Sequence, residues 1–237
     1  MRLSIVTAIL NSQEAVNRQL LHYEQMDLPD TIEIIFVDDG SNPPLVAETT
    51  LKNFLLLQTN DFREWTQPAA RNFGVKRAIG DFIIVTDIDH ILSRELIDTV
   101  CSGKWDVVRF RREVGVLEWD GHFTQRPYVL STYGFPLDRI ERRGLKITPH
   151  TNSFGIRRDL YWELGGVSEK MVGSGKHPNR EEQPIKKGYK KLAAQGKIKL
   201  CSDKERPVIY MFPNGRFCGD KDFNPFGLFH DLKRMTR

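Results

Sequence analysis

Four short apolar runs, Leu3–Ile9, Ile32–Val37, Phe54–Leu57 and Phe82–Thr86, set the strongest limit on how this chain can fold. Each is nearly continuous in aliphatic, aromatic and β-branched residues, so a strand built from it must be covered on both faces. Between the runs lie segments with helical spacing. Val16, Leu20 and Tyr23 recur along one face after the first run. Asn11, with Glu14 three residues on, has the form of a capping box for that helix. Thr66, with Pro68 in the first turn, starts a second helix that Gly80 closes. Strand and helix in alternation predict an α/β fold with a mostly parallel sheet flanked by helices.

In such a sheet, ligands bind beyond the carboxyl ends of the strands, where the strand order reverses. Two acidic clusters stand at that position. Asp38-Asp39 ends the second run, just before Gly40, Ser41 and the breakers Pro43-Pro44; Asp87-Ile88-Asp89 ends the fourth. Both are expected to face one crevice. In an extended segment residues i and i+2 point the same way, which would present the Asp87 and Asp89 carboxylates to one side. Two hard oxygen donors suit Mg²⁺ or Mn²⁺, ions that complete their shells with water and substrate phosphates. The same pair, met without that placement, is an ordinary acidic strand end. His90 has the chemistry of an Mn²⁺ ligand, but is read as packing or hydrogen-bonding internally, on the side away from Asp89.

Downstream the pattern loosens. Trp105–Phe110 and Val114–Trp119 are expected to add strands of a mixed extension, and Arg139–Arg143 a solvated turn or helix. RRDLYWEL, residues 157–164, reads as a helix ended by Gly165-Gly166. Met171–Arg180, with its Gly and Pro breakers, reads as a mobile loop, and Glu182–Gln195 as a basic helix. On that helix Lys186, Lys187, Lys190 and Lys191 form a cationic face, with Lys197 and Lys199 beyond. Such a face is ordinarily solvated. It is also a candidate contact for a phosphorylated acceptor, an anionic glycan or, peripherally, a membrane surface.

Composition narrows the classes further. At 40% apolar and 28% charged residues the chain has the balance of an ordinary globular protein. A net charge of +4 on 237 residues is too small to imply a nucleic-acid partner. Cys101, Cys201 and Cys218 lack CxxC spacing, which fits reduced thiols and a cytoplasmic location. The start, MRLSIVTAIL, lacks the longer apolar region of a signal peptide. No run approaches the ~20 apolar residues of a membrane span.

The segments VDDGS (37–41), ARNFG (70–74), TDIDH (86–90) and RRDLYWELGG (157–166) together resemble the GT-A glycosyltransferases, particularly family 2, over roughly residues 3–190. The resemblance implies one GT-A domain over residues 1–237. Its nucleotide-sugar-binding half would end near residue 100, and an acceptor-binding half with the C-terminal tail would follow. It implies metal-dependent transfer of a sugar from a nucleotide-sugar, a UDP-sugar first, to a hydroxyl of a glycan, lipid-linked or protein acceptor. Inversion by direct displacement is the expected outcome; retention stays open because relatives of both kinds share these motifs.

Roles follow residue by residue. Asp39 would bond the base or ribose, supported by Asp38, and Thr7 and Ala8 would line the nucleotide pocket. Arg71 would reach the nucleotide, where a bidentate guanidinium suits a carbonyl edge or phosphate. Asp87 and Asp89 would hold the metal, with His230 a candidate third ligand. Asn72 and Gly74 would serve packing or local hydrogen bonding. The family's Glu-Asp pair becomes Glu181-Glu182, with Arg180 replacing the glycine before it. Glu182 would take the acceptor proton, with Glu181 the alternative. Apart from the resemblance, both read as acids at a helix N-terminus. Two rival readings stand beside it. A nucleotidyltransferase would want a Gly-rich basic loop after the first strand, which Asn11-Ser12-Gln13-Glu14 does not supply. A non-catalytic nucleotide-sugar or glycan-binding protein is the other, and the altered acidic pair is the feature that would support it.

Overall fold

The computed structural model describes residues 1–133, 137–138, 144–147, 152–174 and 181–211. The apolar runs become β1 (Leu3–Ile9), β2 (Ile32–Asp38), β3 (Phe54–Gln58) and β4 (Phe82–Asp87). Helix α1 (Gln13–Gln25) follows β1, and α2 (Gln67–Arg77) precedes β4. Beyond β4 come β5 (His90–Ile91), α3 (Arg94–Cys101), β6 (Val107–Arg109), β7 (Arg111–Val114), β8 (Val116–Leu117), β9 (Phe123–Thr124) and α4 (Pro127–Thr132). The chain continues through β10 (Lys146–Ile147), β11 (Phe154–Arg157), α5 (Arg158–Glu163), α6 (Gln183–Ala194) and β12 (Val208–Met211).

The main sheet has six strands in the order β3-β2-β1-β4-β11-β6. β1 to β4 are mutually parallel, and β11 runs antiparallel to both β4 and β6. The chain steps outward from β1 through β2 to β3, then returns to place β4 on the other side of β1. That return is the order reversal beyond which a ligand crevice forms. A second sheet, β10-β7-β12-β5, and the β8-β9 hairpin make up the mixed extension.

Alternation along the strands builds two cores. Leu3, Ile5 and Ile9 of β1 face α1 and α3, packing with Val16, Leu20, Tyr23, Leu96 and Ile97. Val6 and Ala8 face the opposite way, toward Ala70 and Val75 of α2 and Ile185 and Tyr189 of α6. Covering both faces explains why these strands lack polar alternation. Gly74 lets α2 lie close to the sheet, since a Cβ there would stand 2.5 Å from Val6 Cγ1 and 2.8 Å from Val37 Cγ2.

The expected capping box does not form. Asn11 adopts a left-handed backbone (φ 48°), and its Oδ1 accepts from Asn42 N at 2.8 Å. Ser12 is the cap residue, and Glu14 pairs with Arg18 instead. Asn11 thus serves tertiary structure, tying the exit of β1 to the turn after β2. The expected strands Trp105–Phe110 and Val114–Trp119 shrink to β6 and β8, and Arg157 belongs to β11 rather than to the helix after it. Arg139–Arg143, His230, Cys218, the tail from Pro213 and the 175–180 part of the expected loop lie outside the described residues. No helix among the described residues is long and apolar enough to cross a membrane.

Candidate active site

The carboxyl edge of the parallel strands gathers most of the residues singled out by the sequence. Asp38 ends β2, Asp87 ends β4, and Ala8 pairs in register with Val37 on one side and Asp87 on the other. Thr7 and Ala8 are buried within β1 rather than at its last residue.

Asp38 shapes the turn that follows it. Its Oδ1 accepts from Ser41 N at 2.9 Å and its Oδ2 from Leu45 N at 2.8 Å. Both oxygens therefore hold backbone, a short-range pattern that Asp favours in turns. Gly40, at φ +78° and with Asp61 O only 2.5 Å from where a Cβ would stand, completes the tight bend. Asp39 is buried, and its N–H donates to Ile9 O at 2.7 Å, joining the ends of β1 and β2.

Asp87 sits in a different setting. Arg71 of α2 is fully buried and spans two acids. Its Nη2 donates to Asp87 Oδ1 at 2.5 Å and its Nη1 to Glu182 Oε1 at 2.6 Å. Burial alone would lower the guanidinium's pKa; Asp87 and Glu182 more than offset it, and the net direction is upward. Gln67, on the preceding turn of α2, adds a 3.2 Å bond to Asp87 Oδ1. The resemblance gives Arg71 contact with the nucleotide; among the described residues its terminal nitrogens engage two carboxylates.

Asp87, Asp89 and His90 offer ligand atoms that all lie within 4.8 Å of one another. They converge by a route other than strand alternation. β4 ends at Asp87, Ile88 and Asp89 form a turn, and His90 begins β5. The turn swings His90 back, leaving its Nδ1 3.9 Å from Asp87 Oδ2. His90 is buried and does bond internally, Nδ1 to Ser153 Oγ at 2.7 Å, with Ser153 Oγ in turn 3.0 Å from Thr86 Oγ1. Its Nε2 is buried without a hydrogen-bond partner among the described residues. Burial first, then the charges of Arg112 and Arg71, favour the neutral ring over the opposing pull of Asp89 and Asp87. Two carboxylates, a neutral imidazole and an unsatisfied ring nitrogen fit a divalent ion such as Mn²⁺.

Two further groups were not legible in the sequence. Arg112 of β7 is buried near Asp89 and Asp87, whose charges oppose the lowering of its pKa by burial. Ser153 orients His90. Neither lies in a recognisable motif, and only the pairing of β11 with β4 and the second sheet bring them to this edge.

Residues 4–165 match the description "Glycosyl transferase family 2". The chain belongs to that family. Its α/β sheet also matches solved structures of GT-A glycosyltransferases. One is the mannosyltransferase PcManGT from Pyrobaculum calidifontis, in complex with GDP-Man and Mn²⁺, at 16% identity and a TM-score of 0.55, covering 92% of this chain and 59% of that one. Another is S. aureus TarS 1-349 in complex with UDP, at 18% identity and a TM-score of 0.52, covering 92% and 62%. A third is the same TarS segment with UDP-GlcNAc, at 18% identity and 0.51, covering 90% and 59%. This family 2 chain thus spans about three-fifths of the length of these structures. No curated protein sequence matches it.

The acidic pair before α6 divides into two environments. Glu182 is 2% exposed and bonded to Arg71. Glu181 is half-buried; burial, then the charge of Glu182, push its carboxyl above the usual range. Asn72, next to Arg71, bonds Val167 O at 2.8 Å and Glu169 Oε1 at 2.6 Å through Nδ2, and accepts from Tyr161 OH at 2.6 Å. These bonds hold the Gly165–Val167 turn against α2, the local role expected of Asn72.

Proposed function

We propose that this family 2 chain transfers a sugar from a nucleotide-sugar to an acceptor hydroxyl, with inversion. The observation that carries the reading is Arg71 joining Asp87, beside the Asp89–His90 group, to Glu182 of the acidic pair. It couples a donor-side acid to the acceptor-side acids through one buried cation.

Asp87, Asp89 and His90 would hold a divalent ion, whose chemistry is to neutralise charge on the donor diphosphate as the leaving group departs. Arg112 adds a fixed positive charge on the same side. The family resemblance assigns Asp39 and Ala8 to the base and ribose, and Asp38 keeps the turn after Asp39 in shape. Glu182 is the expected base by its place in the motif. Its burial and its bond to Arg71 support a positioning role, and we assign proton removal to Glu181. A carboxyl whose pKa is raised by burial, yet still partly exposed, is better matched to that task. The solved relatives hold GDP-Man, UDP and UDP-GlcNAc, so UDP- and GDP-sugars are the first donors to try.

A thermal-shift screen of nucleotide-sugars with Mn²⁺ tests this directly, since a bound donor raises the Tm with its occupancy. Stabilisation by one nucleotide class, slow release of that nucleoside diphosphate, and loss of release in Asp89→Ala are expected. Release of pyrophosphate would make the chain a nucleotidyltransferase. Donor binding without turnover toward any acceptor would make it a binding protein.

A further inference from the structure

The chain's charge is unevenly placed. Residues 183–211 carry eight Lys and Arg against two acids, a larger excess than the +4 of the whole chain. Part of that excess collects on one side of α6, where Glu182, Lys186 and Lys190 follow one another at helical spacing. Arg109 ends β6. It shares the strand parity of Val107, which packs with Ile185 and Tyr189, so it stands on the sheet face that α6 covers. Arg206 joins from the segment leading into β12.

The two arginines converge on one acceptor. Arg109 Nη2 donates to Asp203 Oδ1 at 2.7 Å, and Arg206 Nη2 donates to the same oxygen. Their Nε atoms are buried and have no hydrogen-bond partner among the described residues. Lys186 and Lys190 enter no salt bridge among those residues. Lys186 is held below the usual lysine range, first by burial, then by Lys190, Arg109 and Arg206. Tyr189 lies in the same field: burial raises its pKa, and Arg109 and Arg206 act the other way.

Two arginines therefore share one carboxylate that is itself 76% exposed, and Lys186 and Lys190 add their charge beside them. An exposed ion pair contributes little stability, so Asp203 is poor compensation for this much gathered charge. A multivalent anion would supply the missing charge, and the guanidinium groups match phosphate oxygens. We propose that Arg109, Arg206, Lys186 and Lys190 form a phosphate-binding subsite that recognises a phosphate-bearing acceptor. The inference rests on the transferase reading. Lys186 lies one helical turn from Glu182, next to the acid pair, which suits an acceptor group better than the donor diphosphate. A membrane headgroup is less well matched. Ile185 and Tyr189 are buried, and no large apolar side chain of α6 is exposed to enter a bilayer.

The test follows the arginine Nε–Hε resonances of the full chain by NMR during titration with inorganic phosphate and methyl phosphate. The Arg109 and Arg206 signals should move and saturate. Arg109→Gln or Arg206→Gln should each weaken phosphate affinity by about tenfold, the loss of one charge-assisted hydrogen bond. Asp203→Asn, which withdraws the competing carboxylate, should tighten it. A purely structural role for the arginines predicts no such gain. Unmoved arginine signals, unchanged or weaker affinity in Asp203→Asn, or signals that respond only to phosphatidylglycerol vesicles would overturn the proposal. Donor stabilisation on the same samples reads the parent assignment. Donor bound without phosphate sinks only the subsite; phosphate bound with no donor sinks the transferase reading, and the acceptor role with it.

Discussion

The two acidic strand ends, Asp38-Asp39 and Asp87-Ile88-Asp89, look alike in the sequence and differ in what surrounds them. Asp38 is saturated by backbone N–H groups from its own turn. Asp87 is bonded by side chains from α2, Gln67 and Arg71, and lies within reach of Asp89 and His90. The first arrangement consumes a carboxylate to fix a loop. The second gathers several charged groups around the turn between β4 and β5, an arrangement suited to binding an ion or a diphosphate. An acid after a buried strand therefore marks the ligand edge, while its partners decide whether it builds that edge or acts at it.

That contrast can be broken experimentally. The largest effect is expected from Arg71→Met, which leaves the carboxylates of Asp87 and Glu182 without their shared cation. Removing one partner of a buried ion pair costs about 3–5 kcal/mol, measurable by urea denaturation; a cost near zero would mean that water already compensates both acids. Asp38→Ala comes next. It strands two backbone donors and should cost about 2–4 kcal/mol, while the Tm rise caused by Mn²⁺ persists. Asp89→Asn should do the reverse, weakening Mn²⁺ binding by about tenfold or more with a smaller loss of stability than Asp38→Ala. Equal effects of these two variants on Mn²⁺ binding would erase the distinction between the clusters.

The smallest effect is a displacement along the pH axis. Because burial and Glu182 raise the Glu181 pKa, and the ionised form is the base, transfer should rise with pH through a value above the ordinary carboxylate range. It should fall away as pH drops below it. Glu181→Gln should remove that limb; a limb retained in Glu181→Gln and lost in Glu182→Gln would return the base role to Glu182.

Where local pattern decides the outcome, the sequence was readable. The strands from Leu3, Ile32, Phe54 and Phe82 appear where their apolar runs stand, and α6 falls within one residue of its expected bounds at each end. Asp87 and Asp89 come together as the DxD spacing suggests, but through a turn, which is why His90 joins them instead of pointing away. The capping box failed because Asn11 bonds a residue of the turn after β2, a contact no local pattern encodes. Arg71 was legible as important, yet its partners were not, since one of them is 111 residues distant. Arg112 and Ser153 were invisible for the same reason. Strand order, rather than any motif, delivers them to the site.

The span between Arg71 and its two acids also has a consequence for biosynthesis. Asp87 follows the arginine by 16 residues, whereas Glu182 follows it by 111. A nascent chain can assemble the parallel strands and the first half of the charge pairing early. It holds the guanidinium under-compensated until residue 182 has left the ribosome. The Asp87–Glu182 edge is thus among the last parts to settle, and a chain cut short before α6 would keep the parallel strands while leaving Arg71 paired with Asp87 alone.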